Sequence, residues 1–433
     1  MYTLLLTLFL ATVPAISAYQ ENTIIATIPG FSRPLSLAIT PDGNFVYVTD
    51  LGSNSANVIA TATNTVLSTP LLNNIFNVPQ SIAITPNGQY AYVASAGNGS
   101  VVVIATATNS VVPTPALFGS FSSPESLAVT PNGDFVYVAA SGTNTIKVIQ
   151  TSTNTVIDTI TDSSLQRPDF IAITPDGHYA YVTNLFSFGL TVIDLTTNTV
   201  IPTPGLASGF FFPQAITITP NGAYAYVANG SNNNSLVAIN LATNTIIPTP
   251  NLTGTIPSPV SIAFTPDSRY GYVSNAGSTN NTVTVFDTLT NRVVATIPGF
   301  NNPQTIAITP NGQFAYVANV ANNTVSVIFI GLHFATNFQG CIGRNIFLSQ
   351  TEYYNHLTWT ASFGGNAPVR YNLYRDAALT ELIASIPAWL PLFYNDPKRN
   401  LKLNTTYYLV AIDALGNSSM TATTTVTDYC ARC

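Results

Sequence analysis

Two carboxylates and two guanidinium groups stand beside prolines at matched points of this chain. Arg33 precedes Pro34, Arg167 precedes Pro168, Glu125 follows Pro124 and Asp169 follows Pro168. Gln80, Gln214 and Gln304 follow prolines in the same way. Arginine grips carboxylate or phosphate through a planar fork. Two carboxyl groups held together can share acid and base work. Glutamine offers both a donor and an acceptor to polar ligand groups.

Other reactive residues are few. His178 follows a turn word, His333 lies where a repeat pattern stops, and His356 opens a β-rich run. No two of them have metal-ligand spacing. The sequence shows no G-x-S-x-G, no Walker loop and no calcium-loop spacing of acids. We therefore expect neither a metal centre nor a cofactor. Asp42, Asp176 and Asp267 lie in T-P-D words, where turn chemistry explains them. The three cysteines are Cys341, Cys430 and Cys433, the last two in C-A-R-C. No βαβ context surrounds that motif, so a disulfide is expected rather than thiol catalysis. All three pairings stay open, with one thiol left over. The sequons at Asn98, Asn251 and Asn404 are by-products of Asn- and Thr-rich turns.

The prolines belong to a repeat. The word T-P-(D/N)-G begins at Thr40, Thr85, Thr130, Thr174, Thr219 and Thr309, and Thr265 begins the variant TPDS. Successive words are 44 to 46 residues apart. An apolar run such as SLAIT precedes each word. An alternating run such as FVYVTD, YAYVAS or YAYVTN follows it. Period-2 alternation, β-branched and aromatic residues, and turn punctuation predict strands. Each unit then holds four strands, the pattern of a propeller blade. Seven words give seven blades.

The seventh unit ends after its third strand, at NNTVSVIFI (Asn322–Ile330). NTIIATIPGF at Asn22–Phe31 nearly duplicates NRVVATIPGF at Asn291–Phe300, which closes the sixth unit. Residues 22–28 are therefore expected to supply the outer strand of blade seven. Positions flanking the inner-strand prolines form rings around the channel. The residue after the proline runs Leu35, Gln80, Glu125, Asp169, Gln214, Val260, Gln304. The residue before it runs Arg33, Val78, Ser123, Arg167, Phe212, Ser258, Asn302. Both rings should face one mouth of the channel. They are either hydrated lining or a pocket for a polar or carboxylate-bearing ligand. In the pocket case Arg33 and Arg167 would meet the anion, and Glu125 and Asp169 would form an acid–base pair.

These repeats resemble the YVTN family of β-propellers, associated with archaeal surface-layer proteins. Tyr181-Val182-Thr183-Asn184 carries the motif, with variants at Tyr47, Tyr92, Tyr137, Tyr226, Tyr272 and Tyr316. The resemblance implies the fold and an exported binding scaffold. Related propellers include lactonases, lyases and quinoprotein dehydrogenases.

After residue 331 the repeat stops. HLTWT, RYNLYR, LIASI, FYNDP and TTYYLVAIDALGNSS read as short strands of a β-sandwich. They are similar to fibronectin type III modules at Trp359, Tyr371, Tyr374, Tyr407 and the turn Asp413–Asn417. Tyr407 falls where such modules place their tyrosine corner. Seven of the twelve Lys and Arg lie here: Arg344, Arg370, Arg375, Lys398, Arg399, Lys402 and Arg432.

Charged residues make up only 7% of the 433, against 46% hydrophobic, and the net charge is −6. That content supports a large core, not disorder. The acidic balance and the lack of a basic stripe argue against nucleic-acid binding. Residues 2–18, YTLLLTLFLATVPAISA, look like a secretory leader, too short and proline-interrupted to span a membrane. The expectation is an all-β chain in three parts. A signal peptide covers 1–18, a seven-bladed β-propeller closed by an N-terminal outer strand covers 19–331, and a β-sandwich covers 332–433. It would be secreted, periplasmic or on the cell surface, with no transmembrane segment in the mature chain. It would bind a protein or glycan partner, or else act as a propeller enzyme of lyase or lactonase type. The oligomeric state is left open.

Overall fold

The computed structural model describes residues 21–230, 235–249, 252, 256–277 and 281–330, and then 336–346, 351–360, 370–375, 379–388, 393–396, 405–412 and 422–426. The proposed leader, residues 1–18, lies outside them, as do Cys430 and Cys433. Cys341 falls in the strand Thr336–Ile346. No helix among the described residues is long and apolar enough to cross a membrane.

Seven four-stranded antiparallel sheets follow one another along the chain. Blade one is Pro34–Ile39, Phe45–Asp50, Ser55–Ala60 and Thr65–Leu67. Blades two to six repeat that order. In blade seven the inner three strands are Pro303–Ile308, Phe314–Asn319 and Thr324–Phe329. Its outer strand is Thr23–Ile28, paired antiparallel with Thr324–Phe329. The N-terminal duplicate thus closes the ring, as its sequence implied. Inner strands of neighbouring blades pack on one another all the way round, with Pro303–Ile308 against Pro34–Ile39.

Each T-P-(D/N)-G word builds its turn through side chains. The Thr40 hydroxyl donates to Asp42 Oδ1 at 2.5 Å and accepts the Phe45 N–H at 3.0 Å. Thr174 and Thr265 treat Asp176 and Asp267 the same way. The Thr40 hydroxyl holds the Asp42 carboxyl below its ordinary range, and Thr174 does so for Asp176. These acids serve turns.

Outer strands come in two forms. In blades three, six and seven they are Thr155–Thr161, Arg292–Ile297 and Thr23–Ile28, each with a bulge. Ile160, Ile297 and Ile28 at their ends are buried. In blades one, two, four and five the strand is three residues long, and a T-P-x-L segment follows. There Leu72, Leu117, Leu206 and Leu252 are fully buried. Both forms place one branched aliphatic side chain in the core between blades.

The tyrosine of each YVTN-like word is buried in its blade. Its hydroxyl crosses to the next blade and donates to an asparagine Oδ1 at 2.5 to 2.7 Å. The pairs are Tyr47–Asn109, Tyr92–Asn154, Tyr137–Asn198, Tyr181–Asn244, Tyr226–Asn291, Tyr272–Asn22 and Tyr316–Asn64. All seven asparagines hold left-handed φ of 49° to 56°. Asparagine tolerates that conformation and offers a short acceptor, which explains T-N-T at this point. Asn22 in the N-terminal duplicate supplies the acceptor that Tyr272 needs.

The C-terminal part is two sheets. One has the order Thr336–Ile346, Thr351–Thr360, Phe393–Asp396, and the other Leu382–Pro387, Arg370–Tyr374, Thr405–Ile412, Ala422–Val426. Leu357 and Trp359 from the first pack with Tyr371, Leu373, Ile386, Tyr407 and Leu409 from the second. This is a β-sandwich core. Tyr407 donates to the buried Asp396 at 2.6 Å, and Arg375 pairs with the same carboxylate at 2.5 Å and with Glu381 at 3.0 Å. Arg375 is thus explained as a structural cation.

Removing residues 19–30 should open the ring and lower the melting temperature sharply; unchanged melting would refute the closure. Asn22→Gly keeps the left-handed turn but strips Tyr272 of this acceptor, and should destabilise by roughly 1–3 kcal/mol in chemical denaturation. Alkali should also weaken the ring. Burial pushes Tyr47, Tyr92, Tyr137 and Tyr181 up to about 12. A folded pKa raised above the unfolded value near 10 gives stability that is complete below about pH 10. That stability is lost as pH rises from there through 12. Melting followed by circular dichroism and by the phenolate absorbance should show the two changes together.

Candidate functional site

The lead-in loop of every inner strand is built the same way. All seven residues before the proline are left-handed: Arg33, Val78, Ser123, Arg167, Phe212, Ser258 and Asn302, with φ of 45° to 66°. Each gives its carbonyl to an N–H at or just past the end of its own second strand, at 3.0 to 3.2 Å. Three of their N–H groups bond to the preceding blade. Asn323 Oδ1 accepts from Arg33, Asn54 Oδ1 from Val78 and Asn144 Oδ1 from Arg167, at 2.9, 3.0 and 2.7 Å. The residue after the proline falls in each case where the pairing register shifts. Bulges of this kind re-aim side chains at sheet rims.

Both predicted rings therefore occupy special backbone, at one end of the inner strands. His178 belongs to the turn at the other end, where its Nδ1 lies 3.1 Å from Asp176 Oδ2. Around the mouth, the candidates fall on different blades. Arg33 is on blade one and Gln80 on blade two. Gln304 on blade seven donates to Asn302 Oδ1 at 2.9 Å. Arg33 stands three blades from Arg167, so the two arginines do not form a single clamp.

Blades three and four do bring candidates together. Glu125 accepts from the Ser141 hydroxyl at 3.0 Å. Burial pushes the Asp169 carboxyl up to about 7, the Glu125 charge adds to the rise, and Arg167 opposes it. Such a carboxyl exchanges its proton near neutral pH, as a general acid or base must.

Of the aromatic residues beside this pair, the sequence reading named Phe212 in its ring and missed Phe186, Phe188 and Phe211. The loop after the second strand of blade four is Leu185-Phe186-Ser187-Phe188, where other blades carry Gly, Ser and Asn. The Arg167 guanidinium lies over the Phe186 ring, 5.1 Å from its centre. Phe188 is left-handed, φ 53°, at the place of Asn54, Asn144 and Asn323. It has no acceptor for the Phe212 N–H. Instead the Phe188 and Phe212 rings pack edge to face, 5.0 Å apart. Phe186 is 64% exposed and Phe211 56%. Comparing the seven lead-in words would have shown this: FFP stands where blade one has SRP and blade four QRP. On the far side, Gly230 lies against Gln214; a Cβ there would come within 2.5 Å of Gln214 Cγ.

The fold is thus a seven-bladed β-propeller followed by a sandwich, with polar and aromatic residues together at one end of the inner strands of blades three to five. The family model described as "Lactonase, 7-bladed beta-propeller" matches residues 30–204. Among solved structures, Kuenenia stuttgartiensis hydrazine synthase is similar to this chain. The TM-score is 0.59 at 21% identity, over 72% of this chain and 98% of that one. At that identity the likeness is one of fold. No curated protein matches the sequence.

Asp169 makes a prediction about stability. Its folded pKa is raised above the unfolded value near 4, so its contribution is complete below about pH 4 and lost as pH rises to about 7. Asp169→Asn should therefore raise the melting temperature at pH 8 and leave it nearly unchanged at pH 4. A gain of the same size at both values would reject the assignment.

Proposed function

We propose that this chain is an exported or cell-surface scaffold, not an enzyme, that holds a protein or glycan partner against the loop faces of its propeller. The observation that carries this reading is the exposed aromatic group at the mouth, Phe186, Phe188, Phe211 and Phe212. Contiguous exposed apolar groups of this kind mark interaction sites. They stand on loops whose backbone is held by hydrogen bonds from the Phe210 N–H to the Phe188 carbonyl and from the Gly230 N–H to the Phe212 carbonyl, which lowers the ordering cost of binding. The leader-like residues 2–18 and the likeness of the repeats to the surface-layer-associated YVTN family support export. The sandwich, similar to a fibronectin type III module, would act as spacer or second contact.

A second reading has one observation in its favour. Asp169, with its carboxyl near 7 beside Glu125, suits a propeller enzyme of lyase or lactonase type at the channel mouth.

Labelled protein should bind isolated envelopes of the source cells saturably, and the Phe186→Ser, Phe211→Ser double variant should lose at least about nine-tenths of that affinity. Equal binding by the double variant would overturn the scaffold reading. Turnover of a panel of lactones that vanishes in Asp169→Asn and Glu125→Gln would replace it with the enzymatic one.

A further inference from the structure

Blade four gives up a hydrogen bond that three other blades use. At Asn54, Asn144 and Asn323 a left-handed asparagine holds the lead-in loop of the next blade. Phe188 takes the same conformation without that acceptor, and bulky residues resist positive φ. What the loop gains is a ring pair with Phe212, and both rings stay partly exposed, at 38% and 43%. A strained residue kept for an exposed contact points to a ligand rather than to folding.

The chemistry around that pair is specific. On one side the Arg167 guanidinium lies over the Phe186 ring. Beyond it come Asp169 and Glu125, planar hydrogen-bonding groups set in bulges. An anion would meet both carboxyls and a cation would meet the guanidinium, so neither sign of charge is favoured outright. A protein anchor is normally enclosed in a dry pocket. These rings are open on a rim. A ligand with flat C–H faces and many hydroxyls suits both halves, stacking on rings and bonding to planar polar groups.

We propose that the strip from Glu125 and Asp169 through Arg167 and Phe186 to Phe188 and Phe212 is a carbohydrate site for a neutral oligosaccharide segment. It rests on the scaffold reading and names the class of partner for that site. The outcome is read with the full chain and purified tri- to hexasaccharides of glucose, xylose, mannose and N-acetylglucosamine, by calorimetry and by protein-observed NMR. At least one series should bind saturably. Phe186→Ala and Phe212→Ala should each weaken it about tenfold, and Phe212→Tyr should retain it. Phe118→Ala, at an exposed aromatic on blade two, should leave it unchanged. Melting temperatures equal to the parent show that the variants fold. No binding by any series overturns the proposal, and so does binding that both alanine variants preserve. Envelope binding measured in parallel separates the two readings. If it depends on Phe186 while no saccharide binds, the carbohydrate proposal falls and the scaffold reading stands.

Discussion

The buried tyrosine hydroxyl that reaches across each blade boundary is the constraint on which this ring depends. A phenol inside an apolar core must have a partner, because leaving it without one costs more than the bond itself returns. Each blade meets that need only through its neighbour. The seven donors and seven acceptors close without remainder, from Tyr47–Asn109 round to Tyr316–Asn64. This explains three features at once. The tyrosine recurs, its partner is a left-handed asparagine, and an asparagine stands just before the first strand. The apolar contacts between blades supply the bulk of the stabilisation. The tyrosine bonds fix the rotation of one blade against the next, because a slip at a boundary breaks the bond that crosses it.

Most of this architecture was legible from spacing. Seven turn words, four strand-like runs per unit and a displaced duplicate of NRVVATIPGF led to a closed ring. The sandwich strands were legible from alternation around Trp359 and Tyr407. The tyrosine bonds were not, because five of them join residues 61 to 65 positions apart in neighbouring units and two join residues 250 and 252 apart. A repeat alignment shows both residues as invariant without pairing them. The mouth was half legible. Residues flanking the prolines were rightly placed at one end of the inner strands, but their left-handed and bulged backbone was invisible. Phe212 stood in the predicted ring, but its partners Phe186 and Phe188 did not, since a sequence scan for acids, bases and metal ligands passes over phenylalanine.

The low charge also has a structural basis. Asp and Glu are replaced across the repeats by Asn and Thr, which make the same turn bonds without charge. Asn87, Asn132, Asn221 and Asn311 accept the threonine hydroxyl as Asp42, Asp176 and Asp267 do. A surface wetted this way responds little to salt. It also makes Glu125, Arg167 and Asp169 some of the few ionisable groups that the propeller carries.

The placement of Thr23–Ile28 bears on how the chain reaches its fold. This strand is the first propeller segment to be synthesised, yet its partner Thr324–Phe329 comes roughly 300 residues later. Six blades can pair locally as they appear, each within its own hairpins. The seventh cannot, and Tyr272 waits for an asparagine 250 positions upstream. Contacts of such separation are slow to form. Until Thr324–Phe329 has been made, TIIATI is an unpaired, β-prone, uncharged segment, the kind that seeks strands in other chains. The last event in folding must therefore be a meeting of the two ends of the propeller. Until it happens, the nascent ring is an open chain of blades with a sticky strand at its head.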